Sequence, residues 1–536
     1  MRIDKVYIES FKNLKKFEID FDQNEMNSVL LGQNATGKSN LLEAIVIIFK
    51  HLDLGEIPPK EDYFEYEIKY ICRDREIEVR FFEKEYEFHV KNDSETEKIS
   101  ISPSKFFSNK QYLPKYVFTY YSGNNDRLSK LFQLHKDQSY KTLYAEDIVQ
   151  EDIEDLRRLF FVEKHHNLFV LLAFYVLNKH RKKQDNFLEK FFNIKDIESV
   201  LFILKNGSKP SWKGDERFWG ADGLIRLFLS CLWDQSLAPI YKEPEQRADK
   251  EKLYLYVSQK KKLDDLIVEY FKKLKTHPRK ISLFKILEGI HLAGLLDNIK
   301  IKVKKKTDGE IDYQEFSEGE QQLITVFGLL KFTQDKETLV LLDEPDTHLN
   351  PLWKWQYLEL LNDMVKGSEP EAKDSTQIII NSHDPLLIGG LNKNQVRVFR
   401  RDTSNNIIAV EPESDPKGLG VAGILMSDLF GLPTILDRKT QKDLNRKRYL
   451  QGKVIRDDIS DDDYEEYKML KQKLETYGFY EEVEDQWFKY YIAEMSKHEI
   501  VKEIDYTDAQ KKELQEISAQ IVKEIVTKKK NNESLS

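Results

Sequence analysis

Between residues 3 and 21 apolar and polar side chains alternate one for one, which predicts two short strands joined at Phe11-Lys12-Asn13-Leu14. Residues 28–31 (Ser-Val-Leu-Leu) predict a third, buried strand, followed by a glycine-containing loop and an apolar helix from about Ser39 to Leu52. Alternation returns over 66–90, and Tyr116–Tyr121 reads as a further strand. From 124 to 295 the period becomes helical, predicting an inserted bundle. Residues 299–316 return to strand, 317–400 alternate helix with strand, and beyond 437 the chain is charged and almost wholly helical. The predicted fold class is α/β, with one head divided between the ends of the sequence. Residues 1–123 form its first part, 124–295 a helical insertion, 296–437 its second part, and 438–536 a helical C-terminal region.

Composition narrows the class. At about 150 residues per domain, 536 residues predict three or four units. Hydrophobic residues at 40% and charged residues at 33% exclude a disordered chain, and no run reaches the roughly 20 apolar residues that span a bilayer, so no membrane contact is expected. The start lacks the apolar stretch of a signal peptide, and a cytoplasmic location is expected. Cys72 and Cys231, far apart, supply neither a disulfide framework nor metal-ligand spacing. A net charge of −9 gives no general attraction for nucleic acid, so any such contact needs a local basic patch. One candidate is Ile299-Lys300-Ile301-Lys302-Val303-Lys304, whose alternation puts three lysines on one strand face. That face suits plain solvation or phosphate contact.

Four motifs carry chemistry. Gly32-Gln33-Asn34-Ala35-Thr36-Gly37-Lys38-Ser39 fits G-x-x-x-x-G-K-[ST], with a buried strand before it and an apolar helix after it. Glycines let backbone N–H groups wrap phosphates at a helix N-terminus, Lys38 reaches the β- and γ-phosphates, and the Ser39 hydroxyl suits Mg²⁺. Leu339-Val340-Leu341-Leu342-Asp343-Glu344 predicts a strand buried on both faces with two carboxylates at its end, Asp343 for Mg²⁺ and Glu344 to polarise the attacking water. Ser317-Glu318-Gly319-Glu320 opens an apolar helix and offers a second anion cradle, intelligible when a second protomer presents it across an interface. Ile378-Ile379-Ile380-Asn381-Ser382-His383 ends another buried strand, and His383 falls 39 residues after Glu344, placed to sense a γ-phosphate.

In this order the motifs resemble the ABC-type nucleotide-binding head of SMC, RecF and OLD-type ATPases, over about 1–125 and 296–400. The resemblance implies ATP and Mg²⁺ as ligands. It assigns ATP binding to Gly32, Gln33, Asn34, Ala35, Thr36, Gly37, Lys38, Ser39 and Asn40, with Lys12 and Asn13 at the strand turn that touches the base. Ser39 and Asp343 would hold the metal, Glu344 and His383 would act in catalysis, and Ser317, Gly319, Glu320 and Asp346 would serve ATP on a partner protomer. The family's usual glutamine after its second major strand has no counterpart at Tyr121-Ser122-Gly123.

The chain lacks Rad50-like heptads and a Cys-x-x-Cys hook, and its acidic stretch Asp457–Asp463 reads as a linker and helix cap rather than an OLD-type nuclease site. Leu113–Gly123 and Ser427–Thr434 resemble the PtuA group, the ATPases of the Septu antiphage system, which also occur beside retrons. That resemblance implies a homo-oligomer joined through the heads and a separate HNH endonuclease of the PtuB type. It also implies, for a retron-linked form, a reverse transcriptase with its RNA–DNA product. The alternative is a RecF- or OLD-like DNA repair ATPase without a nuclease partner.

Overall fold

The structure is a computed structural model that describes residues 1–92, 97–123, 127–144, 157–176, 187–207, 214–244, 250–275, 280–306, 309–333, 336–365, 375–479, 486–502 and 507–530. Its central sheet has seven strands in the order Ile407–Val410, Val396–Arg401, Asn27–Gly32, Thr376–Asn381, Thr338–Asp343, Tyr116–Tyr121 and Leu159–Phe161. All neighbours run parallel except the Ile407–Val410 edge. Thr338–Asp343 and Thr376–Asn381 are buried at every position, which is why each is a continuous apolar run in sequence. Register sets Asp343 level with Asn381 on one side and Tyr121 on the other, so polar groups collect at one end of the sheet.

A second, antiparallel sheet runs in the order Leu14–Asp20, Arg2–Phe11, Tyr66–Cys72, Arg75–Phe82, Glu85–Asn92 and Ile99–Ile101. The helix Lys38–Leu54 is buried on nearly all sides, and its Leu41, Ile45 and Phe49 share one core with Tyr66 and Val79 of this sheet and Leu339 and Leu341 of the central one. The expected α/β head is thus the observed one.

The insertion departs from expectation. It is not a helical bundle, because a third sheet crosses it in the order Ile240–Lys242, Lys252–Val257, Ile194–Lys205, Leu296–Lys305 and Gly309–Asp312. Residues from 296, expected to resume the head, pair instead with Ile194–Lys205, and Leu159–Phe161 inside the insertion completes the central sheet. The apolar run Val200–Leu204 has no period that separates strand from buried helix, and its partners are remote in sequence. On Leu296–Lys305 the alternation holds, with Ile299, Ile301 and Val303 buried and Lys300, Lys302 and Lys304 exposed.

Residues Met1–Gly420 and Val421–Ser536 form two compact units, so the C-terminal region begins before the expected 438. The second unit holds the helices Arg438–Ile455, Asp461–Thr476, Gln486–Met495 and Asp508–Lys530. Ser460 accepts from the Asp463 N–H, making the acidic stretch a helix cap, and Thr507 with Gln510 forms a reciprocal capping box. Ile521 is buried, Leu514, Ile517 and Ile525 are half-buried, and the Ser518 hydroxyl lies 3.0 Å from that of Tyr491. The last helix therefore packs on Gln486–Met495 of its own unit.

Candidate nucleotide-binding site

The loop between Asn27–Gly32 and Lys38–Leu54 has a backbone that sequence alone explains. Gly32 has φ 145°, and a Cβ there would stand 2.5 Å from the Phe399 carbonyl oxygen. Gly37 has φ 90° and would meet Leu14 Cδ2 at 2.7 Å, so both positions require glycine. Ala35 also takes a positive φ of 64°, giving the kind of left-handed turn from which N–H nests for anions are built. Thr36 Oγ1 donates to the Gln33 carbonyl at 2.7 Å and fixes the loop from within. Lys38 Nζ donates to the carbonyls of Gly32 at 2.7 Å and Gln33 at 3.2 Å. Burial lowers the pKa of this ammonium, while the charges of Glu344 and Asp343 oppose the shift.

Asn13 joins the early strand turn to this loop: its Nδ2 donates to the Ala35 carbonyl at 3.0 Å, and its Oδ1 accepts from Asn40 at 2.6 Å. Lys12, at φ 54° in the turn, is engaged with the buried Glu43, which also pairs with Arg127 at 2.9 Å. Sequence reasoning passed over Glu43, because a lone glutamate in an apolar helix announces no partner.

Asp343 has no exposed surface, and burial raises its pKa. Asn381 donates to its Oδ1 and also reaches Ser39 Oγ at 3.3 Å, while Asp343 Oδ2 has no hydrogen-bond partner among the described residues. Asn381 is thus a positioning residue that the sequence reading left without a role. Glu344, at φ 53°, follows; burial raises its pKa too, opposed by His383. His383 Nδ1 stands 2.6 Å from Glu344 Oε2, close as an ion pair though outside hydrogen-bond alignment, and the His383 side chain is 65% exposed. Asp346 is buried in this chain and accepts from Ser382 Oγ at 3.1 Å, which links it to the strand end that carries His383. Ser122 follows the Tyr116–Tyr121 strand where a glutamine was absent, with its N–H on the Asp343 carbonyl at 3.2 Å.

Ser317 and Glu320 form a capping box at the start of Glu318–Phe332, with Glu320 also held by Lys305 at 3.0 Å. Gly319 lies against its own chain, where a Cβ would stand 2.6 Å from the His348 carbonyl oxygen. Among the described residues, no hydrogen bond or ion pair joins Ser317, Gly319 or Glu320 to the loop Gly32–Ser39. The structure therefore brings together Lys38, Ser39, Asp343, Glu344, Asn381 and His383, and leaves Ser317–Glu320 apart from them.

Known proteins share parts of this arrangement. The chain is 30% identical to the Septu protein PtuA of Bacillus mycoides (strain KBAB4) over 179 residues, which is 31% of this chain and 22% of that protein. It is 46% identical to the DNA replication and repair protein RecF of Lactobacillus acidophilus (strain ATCC 700396 / NCK56 / N2 / NCFM) over 48 residues, 9% of this chain and 12% of that protein. The matches thus span about a fifth and an eighth of those relatives' lengths. Among solved structures, the SMC head domain from Thermotoga maritima is 12% identical at TM-score 0.32, with 77% of this chain and 100% of that one covered. The SmcHead bound to the C-winged helix domain of ScpA is 13% identical at TM-score 0.33, with 77% and 98% covered. Both scores are too low to add to the strand order above. A family model described as "AAA domain, putative AbiEii toxin, Type IV TA system" matches residues 28–389, from the strand that opens the phosphate loop to beyond His383. The chain belongs to this AAA_21 family.

Proposed function

We propose that the protein binds and hydrolyses ATP and serves as the ATPase subunit of a Septu-type antiphage complex, where it regulates an HNH nuclease of the PtuB type. The observation that carries the ATPase reading is the convergence of Lys38, Ser39, Asp343, Glu344 and His383 at the ends of three adjacent parallel strands. The residues fit Mg²⁺: Asp343 offers a buried carboxylate oxygen with no partner, beside a serine hydroxyl tied to it through Asn381. When bound, Mg²⁺ neutralises phosphate charge. The chain's own residues do the rest. Lys38 exchanges its loop carbonyls for phosphate oxygens, Glu344 orients the attacking water, and His383 holds Glu344 and donates toward the γ-phosphate.

Ser317, Gly319 and Glu320 act on ATP held by a second protomer, a reading supported by their separation from the phosphate loop of their own chain. The defence role rests on the PtuA likeness, and a retron-linked form would add a reverse transcriptase and its RNA–DNA product. A repair ATPase acting on DNA alone has the short RecF likeness in its favour.

The test is co-expression with an HNH protein of the PtuB type, followed by co-purification and ATPase assay of wild type and Glu344→Gln. A stable complex, with Glu344→Gln binding ATP but not turning it over, is expected. Normal turnover by Glu344→Gln defeats the catalytic assignment, and absence of any nuclease complex defeats the Septu reading.

A further inference from the structure

Away from the phosphate loop, the edge strand Leu159–Phe161 of the central sheet leads into Glu163 and His165, and the helix Lys280–Leu292 brings His291 against them. One ligand atom from each of Glu163, His165 and His291 lies within 4.8 Å of the other two. Glu163 Oε2 and His165 Nε2 are 3.5 Å apart, close to the spacing of two ligands on one tetrahedral ion.

Two independent features point to a ligand there. His165 Nε2 is buried and has no hydrogen-bond partner among the described residues, an expensive vacancy for a ring nitrogen inside a protein. The surrounding groups also hold the glutamate in place without consuming the facing oxygen. Lys136 takes Glu163 Oε1, and the Glu163 N–H donates to His166 Nδ1 at 2.9 Å, while His166 Nε2 sits 3.5 Å from Glu288. Such outer contacts are what orient the ligands of a metal site.

We infer that Glu163, His165 and His291 form a site for a single Zn²⁺ ion, separate from the nucleotide's metal. Two imidazoles and one carboxylate are the ligand set of this borderline ion, and a fourth position is left for water. Water has a route, because Glu163 also lines a cavity of about 240 Å³ that reaches Ser122, Glu318 and His348. His165 and His291 are stacked with ring centroids 3.7 Å apart, so binding turns the rings out of the stack until their nitrogens converge. The ion would tie the edge strand to Lys280–Leu292 behind His166–Val176, the helix whose Asn167 donates to Gln321 beside the Ser317 cradle at 3.0 Å.

The experiment uses full-length, nucleotide-free protein stripped with chelator. It is titrated with Co²⁺ while visible absorption is followed, then with Zn²⁺ against a chromophoric chelator. Wild type should take up one equivalent of Co²⁺ with the strong bands of tetrahedral coordination, and Zn²⁺ should raise its Tm. His291→Ala and Glu163→Gln, each checked for wild-type circular dichroism, should bind Zn²⁺ at least about a hundredfold more weakly and lose the Tm rise. Asp343→Asn should keep the site, which separates it from the nucleotide's metal and makes the outcome independent of the ATPase reading. Equal affinity in both folded variants, no tetrahedral bands in wild type, or loss of binding in Asp343→Asn would each overturn the assignment.

Discussion

Asn381→Ala isolates the group that ties the phosphate loop to the buried carboxylate. Asp343 is wholly buried, its Oδ2 is unpartnered, and the Asn381 amide serves both its Oδ1 and Ser39 Oγ. A hydrogen bond to a charged group contributes about 1.5–3 kcal/mol. At about 1.4 kcal/mol per decade, its loss from a metal- and ATP-competent Asp343 should lower kcat/KM for ATP by roughly 10- to 100-fold. The pH profile identifies the cause. Burial already raises the Asp343 pKa, and hydrogen bonding from Ser39 and then from the Asn381 amide opposes that rise, so the variant, which loses the Asn381 share, ionises at higher pH than wild type. The acid limb of kcat/KM should move to higher pH, with the deficit largest in acid and shrinking as pH rises. ATP hydrolysis followed across pH at saturating Mg²⁺, alongside circular dichroism, reads both effects. Activity within twofold of wild type would refute the argument, as would a uniform loss with an unmoved acid limb, which marks a merely structural role.

Burial raises the pKa of Asp343, Glu344 and Asp346 alike, so the stability they contribute is complete below the unfolded carboxylate pKa and is lost as pH rises through their folded values. Asp343→Asn should therefore raise the Tm of the nucleotide-free protein at neutral pH, with the gain vanishing in acid, while abolishing hydrolysis; an unchanged neutral Tm would contradict this. Lys38→Ala should lose ATP binding, because Lys38 is the cation of the loop, and equilibrium dialysis showing wild-type affinity would reject the phosphate-loop assignment. Ser317→Arg should bind ATP yet fail to close a two-protomer site, and mixing it with Lys38→Ala should restore about one working site per pair. Failure of both wild type and mixture to associate with ATP removes the two-protomer model. Deleting residues 503–536 uncovers Tyr491 and Met495 of the second unit, and should spare hydrolysis but lose the nuclease partner on size exclusion. Retention of the partner would exclude the last helix as its dock.

Residue types and local spacing determined the parts of the head that depend on nearby sequence. The loop Gly32–Ser39 was legible because φ of 145° and 90° at Gly32 and Gly37, and the close approach of Phe399 and Leu14, demand glycine. The strands before Asp343 and His383 were legible because burial on both faces leaves only apolar residues. The caps at Ser317, Ser460 and Thr507 follow from side chains that satisfy N–H groups three residues ahead.

Tertiary structure alone decided what sits beside what. Ile194–Lys205 is a strand because Leu296–Lys305 and Lys252–Val257 flank it, and no local period encodes partners so remote. Parallel register, set by packing across three strands, put the Asn381 amide on Asp343 and Ser39. The same remoteness hid the pairing of Lys12 and Arg127 with Glu43, and the meeting of Glu163 and His165 with His291 from a later helix. Sequence spacing specifies backbone conformation and burial, because these are satisfied within a turn or a strand. Charge pairing and ligand geometry are satisfied only when distant elements close on one another, and there the sequence supplies the residues but not their neighbours.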